Sequence, residues 1–232
     1  MAGNSGIRRD KYDVSGNVEA QFMDDDGFVL ANKPGIRDLA SLQLKEEELL
    51  ARAYHSILKE VRSDTPMTAE LLKHIHFRIF GELFEWAGRW RTVTISKGNA
   101  VWPPPRYLDE AMKSLEADFL TRRTGSAMDS DDVFSRAVGE IQGEFLAIHP
   151  FREGNARTIK LMSDLLAAQS DRPLLVYDMT DEGQQQYINA ARVALARKDY
   201  GPMIGIIAEA LGRAESSPWP PTRPSDDDAV QQ

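Results

Sequence analysis

Ten consecutive residues, His149-Pro-Phe-Arg-Glu-Gly-Asn-Ala-Arg-Thr158, bring together an imidazole, a carboxylate, a glycine-containing turn and an arginine. His149 is the side chain best suited to accept a proton near neutral pH. Glu153 is a hard oxygen ligand of the kind Mg²⁺ takes, usually one or two carboxylates beside phosphate oxygens. Arg157 offers a planar fork that matches phosphate oxygens. A base, a candidate metal ligand and an anion grip at this spacing point to transfer of a phosphate-containing group onto a nucleophile that loses a proton.

The elements around the stretch are built to aim it. Val133, Ala137, Ile141, Phe145 and Ile148 recur at steps of three and four, the period of an amphipathic helix, and Ile159, Met162, Leu165 and Leu166 resume it downstream. Pro150 disfavours αR geometry at His149, so the upstream helix should end there. Gly154 and Asn155 tolerate a tight turn and can open the next helix. The first amides of that helix would lack intrahelical partners and carry the positive end of its dipole, a ready seat for phosphate.

His149-Pro-Phe-Arg-Glu-Gly-Asn-Ala-Arg157 resembles the signature of Fic-domain proteins, HPFx[D/E]GNxR. The resemblance runs from Asn32-Lys-Pro-Gly-Ile36 to about Ala214 and includes Trp86-Ala-Gly-Arg-Trp-Arg-Thr92 and Lys97-Gly98. It implies a mostly α-helical bundle with one small β-hairpin, the flap. It implies transfer of AMP from ATP to a Ser, Thr or Tyr hydroxyl of a target protein, with release of pyrophosphate. By position, His149 would be the base and Glu153 would hold Mg²⁺. Gly154, Asn155 and Ala156 would line the anion hole, and Arg157 would steady the β/γ end. Lys97, Gly98, Arg152 and Lys160 complete the expected nucleotide-binding set. Two departures stand out: Ala156 replaces the usual glycine, and Lys160 replaces a second arginine, giving a point charge for a fork. The alternatives are transfer of another nucleotide or a phosphoryl group on the same fold, or a peptide-binding module without catalysis.

Outside the motif, Leu49, Leu50, Ala53, Tyr54, Ile57 and Leu58 make one face of a helix over 45–61, and Leu71 to Leu83 mark a second over 69–84, with Thr68 as its cap. Arg91-Thr-Val-Thr-Ile95, a turn at Ser96-Lys-Gly-Asn99 and Ala100-Val-Trp102 read as the hairpin. The resemblance makes it the docking edge for the target, near Lys97 to Trp102. Further helices are expected over 107–121, 182–197 (Tyr187, Ile188, Ala191 and Leu195 inward) and 200–213, with a buried extended piece at 174–177. Trp86 and Trp90 read as core anchors, and His55, His74 and His76 as structural or solvent-facing.

The chain divides into a flexible segment 1–30, a domain 31–214 and a Pro/Ser/Asp-rich tail 215–232 that should be disordered. Ser15 and Glu19 have the spacing of the [S/T]xxxE inhibitory segment of this family. Ala20 stands where glycine or asparagine should follow, so the match reads as chance. A separate small antitoxin-like partner, as in a toxin–antitoxin pair, is the expected source of control. A net charge of −8 argues against a general nucleic-acid binder, and the absence of cysteine excludes disulfides and thiol catalysis. No run of about 18 apolar residues and no apolar leader are present, so a cytoplasmic protein, or one translocated as an effector, is the expectation.

Overall fold

The computed structural model of the chain describes residues 17–98, 100–121 and 128–216. The expectations placed on residues 1–16, Asn99 and 217–232 lie outside these. Among the described residues seven α-helices follow one another: α1 (Leu39–Glu60), α2 (Ala69–Phe80), α3 (Leu108–Leu115), α4 (Asp131–Ile148), α5 (Asn155–Gln169), α6 (Asp181–Arg197) and α7 (Gly201–Glu215). Between α2 and α3 lies a two-stranded antiparallel hairpin, β1 (Ser96–Lys97) and β2 (Ala100–Val101). A mostly α-helical bundle with one hairpin is therefore what the chain forms.

Local chemistry sets the helix starts. Asp38, Thr68, Ser130 and Thr180 each accept a hydrogen bond from an amide three residues on, at Ser41, Leu71, Val133 and Gly183. Leu42, Leu49, Ala53 and Ile57 then bury one face of α1, and Leu72, Ile75, Ile79 and Phe80 one face of α2. The helix read from the sequence over 45–61 starts at Leu39 instead, because the Asp38 cap outweighs the weak apolar signal of its first turn.

Helix α4 is the axis. Phe134, Ala137, Val138, Ile141 and Phe145 are fully enclosed, and it packs against α3, α5, α6 and α7. Each such apolar side chain contributes about 1.5–3 kcal/mol by leaving water. Close approach to α7 depends on Gly139, where an added Cβ would sit 2.6 Å from Ile204 Cα. Several expectations need correction. Val133 and Ile188, read as inward, are 41% and 43% exposed. Arg91–Ile95 is not a strand: the first hairpin strand is Ser96–Lys97, within the expected turn, whereas the second, Ala100–Val101, lies where it was expected. Of the buried extended piece expected at 174–177, Leu175 is buried while Val176 is exposed, its amide donating to Ala210 O. The helix expected over 107–121 ends in a single π-helical stretch, Glu116–Leu120.

Residues 17–31 fold back onto the body. Phe22 and Leu30 form an isolated bridge, Val29 is buried, and Lys33 N–H donates to Leu83 O at 2.7 Å. The domain boundary expected at 31 thus follows a segment already packed in place.

Candidate active site

The site forms where α4 ends and α5 begins. His149 closes α4 as its C-cap, its amide donating to Phe145 O at 2.8 Å, and adopts a left-handed φ of +53°. Pro150 keeps His149 out of αR and so ends the helix; the left-handed backbone is uncommon for a residue with a Cβ. Gly154, at φ +79°, makes the second sharp turn and caps α5. A Cβ there would overlap the Phe80 ring, so glycine is required twice over, by conformation and by space.

Asn155 locks the loop between the two turns. Its Oδ1 accepts from Phe151 N–H at 2.9 Å and its Nδ2 donates to Phe151 O at 2.8 Å. Intrahelical bonding in α5 begins with Thr158 N–H to Gly154 O, which leaves the amides of Asn155, Ala156 and Arg157 without helical partners. The Gly154 amide donates to Glu153 Oε1 at 2.9 Å, so a carboxylate already rests against this positive end. Arg157 lies 3.6 Å from the same oxygen and donates through Nη1 to Glu46 Oε2 on α1 at 2.9 Å.

His149 is half-buried and neutral. Burial lowers its pKa to about 4, opposed by a bond to Leu146 O and the charge of Glu153, and reinforced by Arg91 and Lys97. The Trp102 indole packs on the imidazole with ring centroids 4.3 Å apart and donates to Leu146 O at 3.0 Å. Lys97, on β1, is thus within electrostatic range of the base, with Gly98 beside it at φ +59°.

Two expected nucleotide ligands have other partners. Arg152 donates through Nε to Glu19 O at 2.7 Å, toward the N-terminal segment. The Lys160 ammonium lies over the faces of Tyr177 and Tyr187, 4.2 and 4.4 Å from their centroids. Both rings are fixed by Gln142, which accepts from Tyr187 Oη and donates to Tyr177 Oη. Ala156, Lys160, Met179, Tyr187 and Arg213 are among the residues that line an open cleft beside the α5 N-terminus.

Three supporting residues make contacts at the site that sequence reasoning did not anticipate. Glu46 sat unremarked in an acidic run. Buried His76, read as structural or solvent-facing, accepts from Gly88 N–H through Nδ1, and its Nε2 therefore donates to Glu153 O at 3.0 Å. Glu19 is 4% exposed, and its carboxylate accepts from Thr92 N–H at 2.8 Å. A buried histidine or glutamate carries no periodic signal that would have disclosed these bonds. Among the described residues no group of three or more histidine or acidic side chains converges as a protein-only metal cage. Glu153 is the carboxylate at this site that could hold a cation together with a ligand's phosphates.

Residues 66–167 match the Fic/DOC family model. That match spans less than half of the chain and includes the whole His149–Arg157 stretch. Over 152 residues it is 31% identical to the protein adenylyltransferase VbhT of Bartonella schoenbuchensis, covering 65% of this chain and 30% of that protein. It is 30% identical over 130 residues to the probable protein adenylyltransferase y4lH of Sinorhizobium fredii, covering 56% of this chain and 66% of that one. The chain thus spans less than two thirds of the length of these relatives. The fold is similar to the N-terminal FIC domain of the VirB-translocated effector Bep8 from Bartonella sp. 1-1C, with TM-score 0.69, 21% identity and coverage of 79% of this chain and 90% of that one. The effector BepC from Bartonella tribocorum, solved with bound AMPPNP, aligns with TM-score 0.63 and 20% identity over 78% of this chain and 91% of that chain.

Proposed function

We propose that the chain is a protein adenylyltransferase that moves AMP from ATP to a Ser, Thr or Tyr hydroxyl of a target protein. One observation carries the reading: a neutral imidazole stands at the end of α4, beside three unpartnered amides of α5 that are flanked by Glu153 and Arg157. The relatives named as adenylyltransferases and the AMPPNP-bound neighbour support the nucleotide class.

The target oxygen attacks the α-phosphorus and forms the new O–P bond. The bond from that phosphorus to the bridging oxygen breaks, and pyrophosphate leaves with both electrons. The hydroxyl proton passes to the free ring nitrogen of His149. Charge growing on the phosphates faces the amides of 155–157 and the Arg157 guanidinium, which are oriented before the reaction. Mg²⁺, held by Glu153 and phosphate oxygens, would supply further neutralisation. The target would lie along the hairpin from Lys97 to Trp102, adding main-chain bonds at its edge. Lys160, pinned between two tyrosine rings, leaves Arg157 as the principal grip on the terminal phosphates. Control by a small antitoxin-like protein belongs to the same proposal, and co-purification of such a partner that suppresses labelling would test it.

The decisive experiment incubates the chain with Mg²⁺ and either α- or γ-labelled ATP in cell lysate. Label reaching protein from the α position alone is the expected result. Label from the γ position would replace AMP transfer with phosphoryl transfer, and ATP binding without transfer or hydrolysis would leave a binding module.

A further inference from the structure

We infer that Arg91 is a positioning residue that couples the docking hairpin to the catalytic histidine, by bonding the carbonyl of His149 and the backbone at both ends of the hairpin with one guanidinium. The inference rests on the reaction proposed above for the meaning of "catalytic", but its geometry stands apart from it. Arg91 is 2% exposed. Its Nε donates to His149 O at 2.8 Å, its Nη1 to Val93 O at 2.8 Å where the chain enters the hairpin, and its Nη2 to Pro103 O at 2.7 Å where the chain leaves it. Its own amide donates to Pro150 O at 2.8 Å. Both peptide groups that define the turn at His149 are therefore held by a single residue.

An arginine bonded only to carbonyls is a costly thing to enclose, since no carboxylate shares its hydrogen bonds and burial lowers its pKa to about 10. The nearby charge of Glu19 offsets part of that cost. A side chain needed only to fill space would be served by an apolar group. What the guanidinium adds is direction: a rigid plane whose donors fix three carbonyls relative to one another. Because His149 sits at a left-handed φ, its ring direction depends on the plane of the 149–150 peptide, and Arg91 holds that plane. The residue before Pro103 is Trp102, whose indole covers the imidazole. The hairpin thus reaches His149 twice, through the ring of Trp102 and through the fork of Arg91. A displacement of the hairpin on docking a target would move both contacts together.

The test uses the whole chain and Arg91→Lys, which keeps the charge and loses the fork. With Mg²⁺-ATP and water as acceptor, AMP release is expected to fall about 10- to 100-fold, as a misplacement of a catalytic group by around an ångström does, with KM for ATP within about threefold. Amide exchange should rise in 91–103 and 149–151 while α6 and α7 keep their protection. An unchanged rate together with unchanged exchange overturns the inference. So does a loss of protection throughout the fold that moves rate and KM alike, which would make Arg91 structural only. Should the variant not fold, native-state exchange of the unaltered chain decides: the amides of Arg91 and Trp102 must open as one unit with the same denaturant dependence, and independent opening overturns the clamp. An unaltered chain that neither transfers nor hydrolyses would sink the proposed reaction, and the exchange arms would still judge the clamp.

Discussion

His149 is held uncharged over the whole range in which a surface histidine would titrate, and that has two measurable consequences. As a base it stays available at mildly acidic pH, so the rate of the proposed transfer should be nearly flat from pH 8 to about 5.5, where a histidine with an ordinary pKa of 6.5 would have lost most of its activity. His149→Ala should lower that rate by roughly 10²–10⁴-fold, measured with α-labelled ATP, and a loss under tenfold would remove it from the role. For stability the sign follows from where protons bind first. His149 and His76, the latter lowered to about 3 by burial, take up protons in the unfolded chain before the folded one, so their contribution is lost as pH falls from about 6.5. Asp164, raised to about 6 by burial, works the other way: its contribution is full below about 3.8 and is lost as pH rises through about 6. Urea midpoints should therefore fall between pH 6.5 and 4.5, and Asp164→Asn should fall more steeply. Glu46→Ala would leave Arg157 without its 2.9 Å partner, and a hydrogen bond to a charged group is worth about 1.5–3 kcal/mol. A rise in KM for ATP of about tenfold or more is expected, with a smaller effect on kcat.

At the scale of elements, two glycines carry the architecture. Gly154→Ala places a side chain against Phe80 at a left-handed φ and should abolish nucleotide binding along with activity, even where circular dichroism shows helices intact. Gly139→Ala forces α4 away from Ile204 and should cost about 1–3 kcal/mol, read as a fall in the thermal midpoint, with nucleotide affinity retained in the folded fraction. The helices, their caps at Thr68 and Thr180, and the break at His149-Pro150 were legible because spacing and side-chain type encode them locally. Val133 and Ile188 were misread because they follow the apolar period at the margin of a face, where only the neighbouring helix decides burial. The first strand of the hairpin was placed too early because β-branched Thr92, Val93, Thr94 and Ile95 favour strand, whereas Arg91 draws that backbone into the clamp. Arg91, His76, Glu19 and Glu46 bond to partners 58, 77, 73 and 111 residues away, distances over which a single sequence has no periodicity to read.

For the molecule as a whole, the His149 end of α4 and the open end of α5 both grow from the most enclosed part of the core, whereas the cleft wall is contributed by α6 and α7. Mg²⁺-ATP should therefore raise the thermal midpoint of the entire fold, by the equivalent of about 2.7 kcal/mol at a hundredfold excess over Kd, and a scan without that rise would argue against binding at this cleft. The hairpin gives the molecule a different kind of limit. Its strands are two residues each, with Val101 turned to solvent at 64% exposure, and an extended chain laid beside so short a rung can make only a pair or so of main-chain bonds. In the proposed docking, such a contact would set the register of an acceptor but hold it too weakly to choose among acceptors, since that little energy barely offsets the ordering of the bound segment. Selectivity must then come from folded surfaces meeting elsewhere. Denatured or fragmentary acceptors should accordingly be modified poorly, however well their sequence around the hydroxyl is preserved.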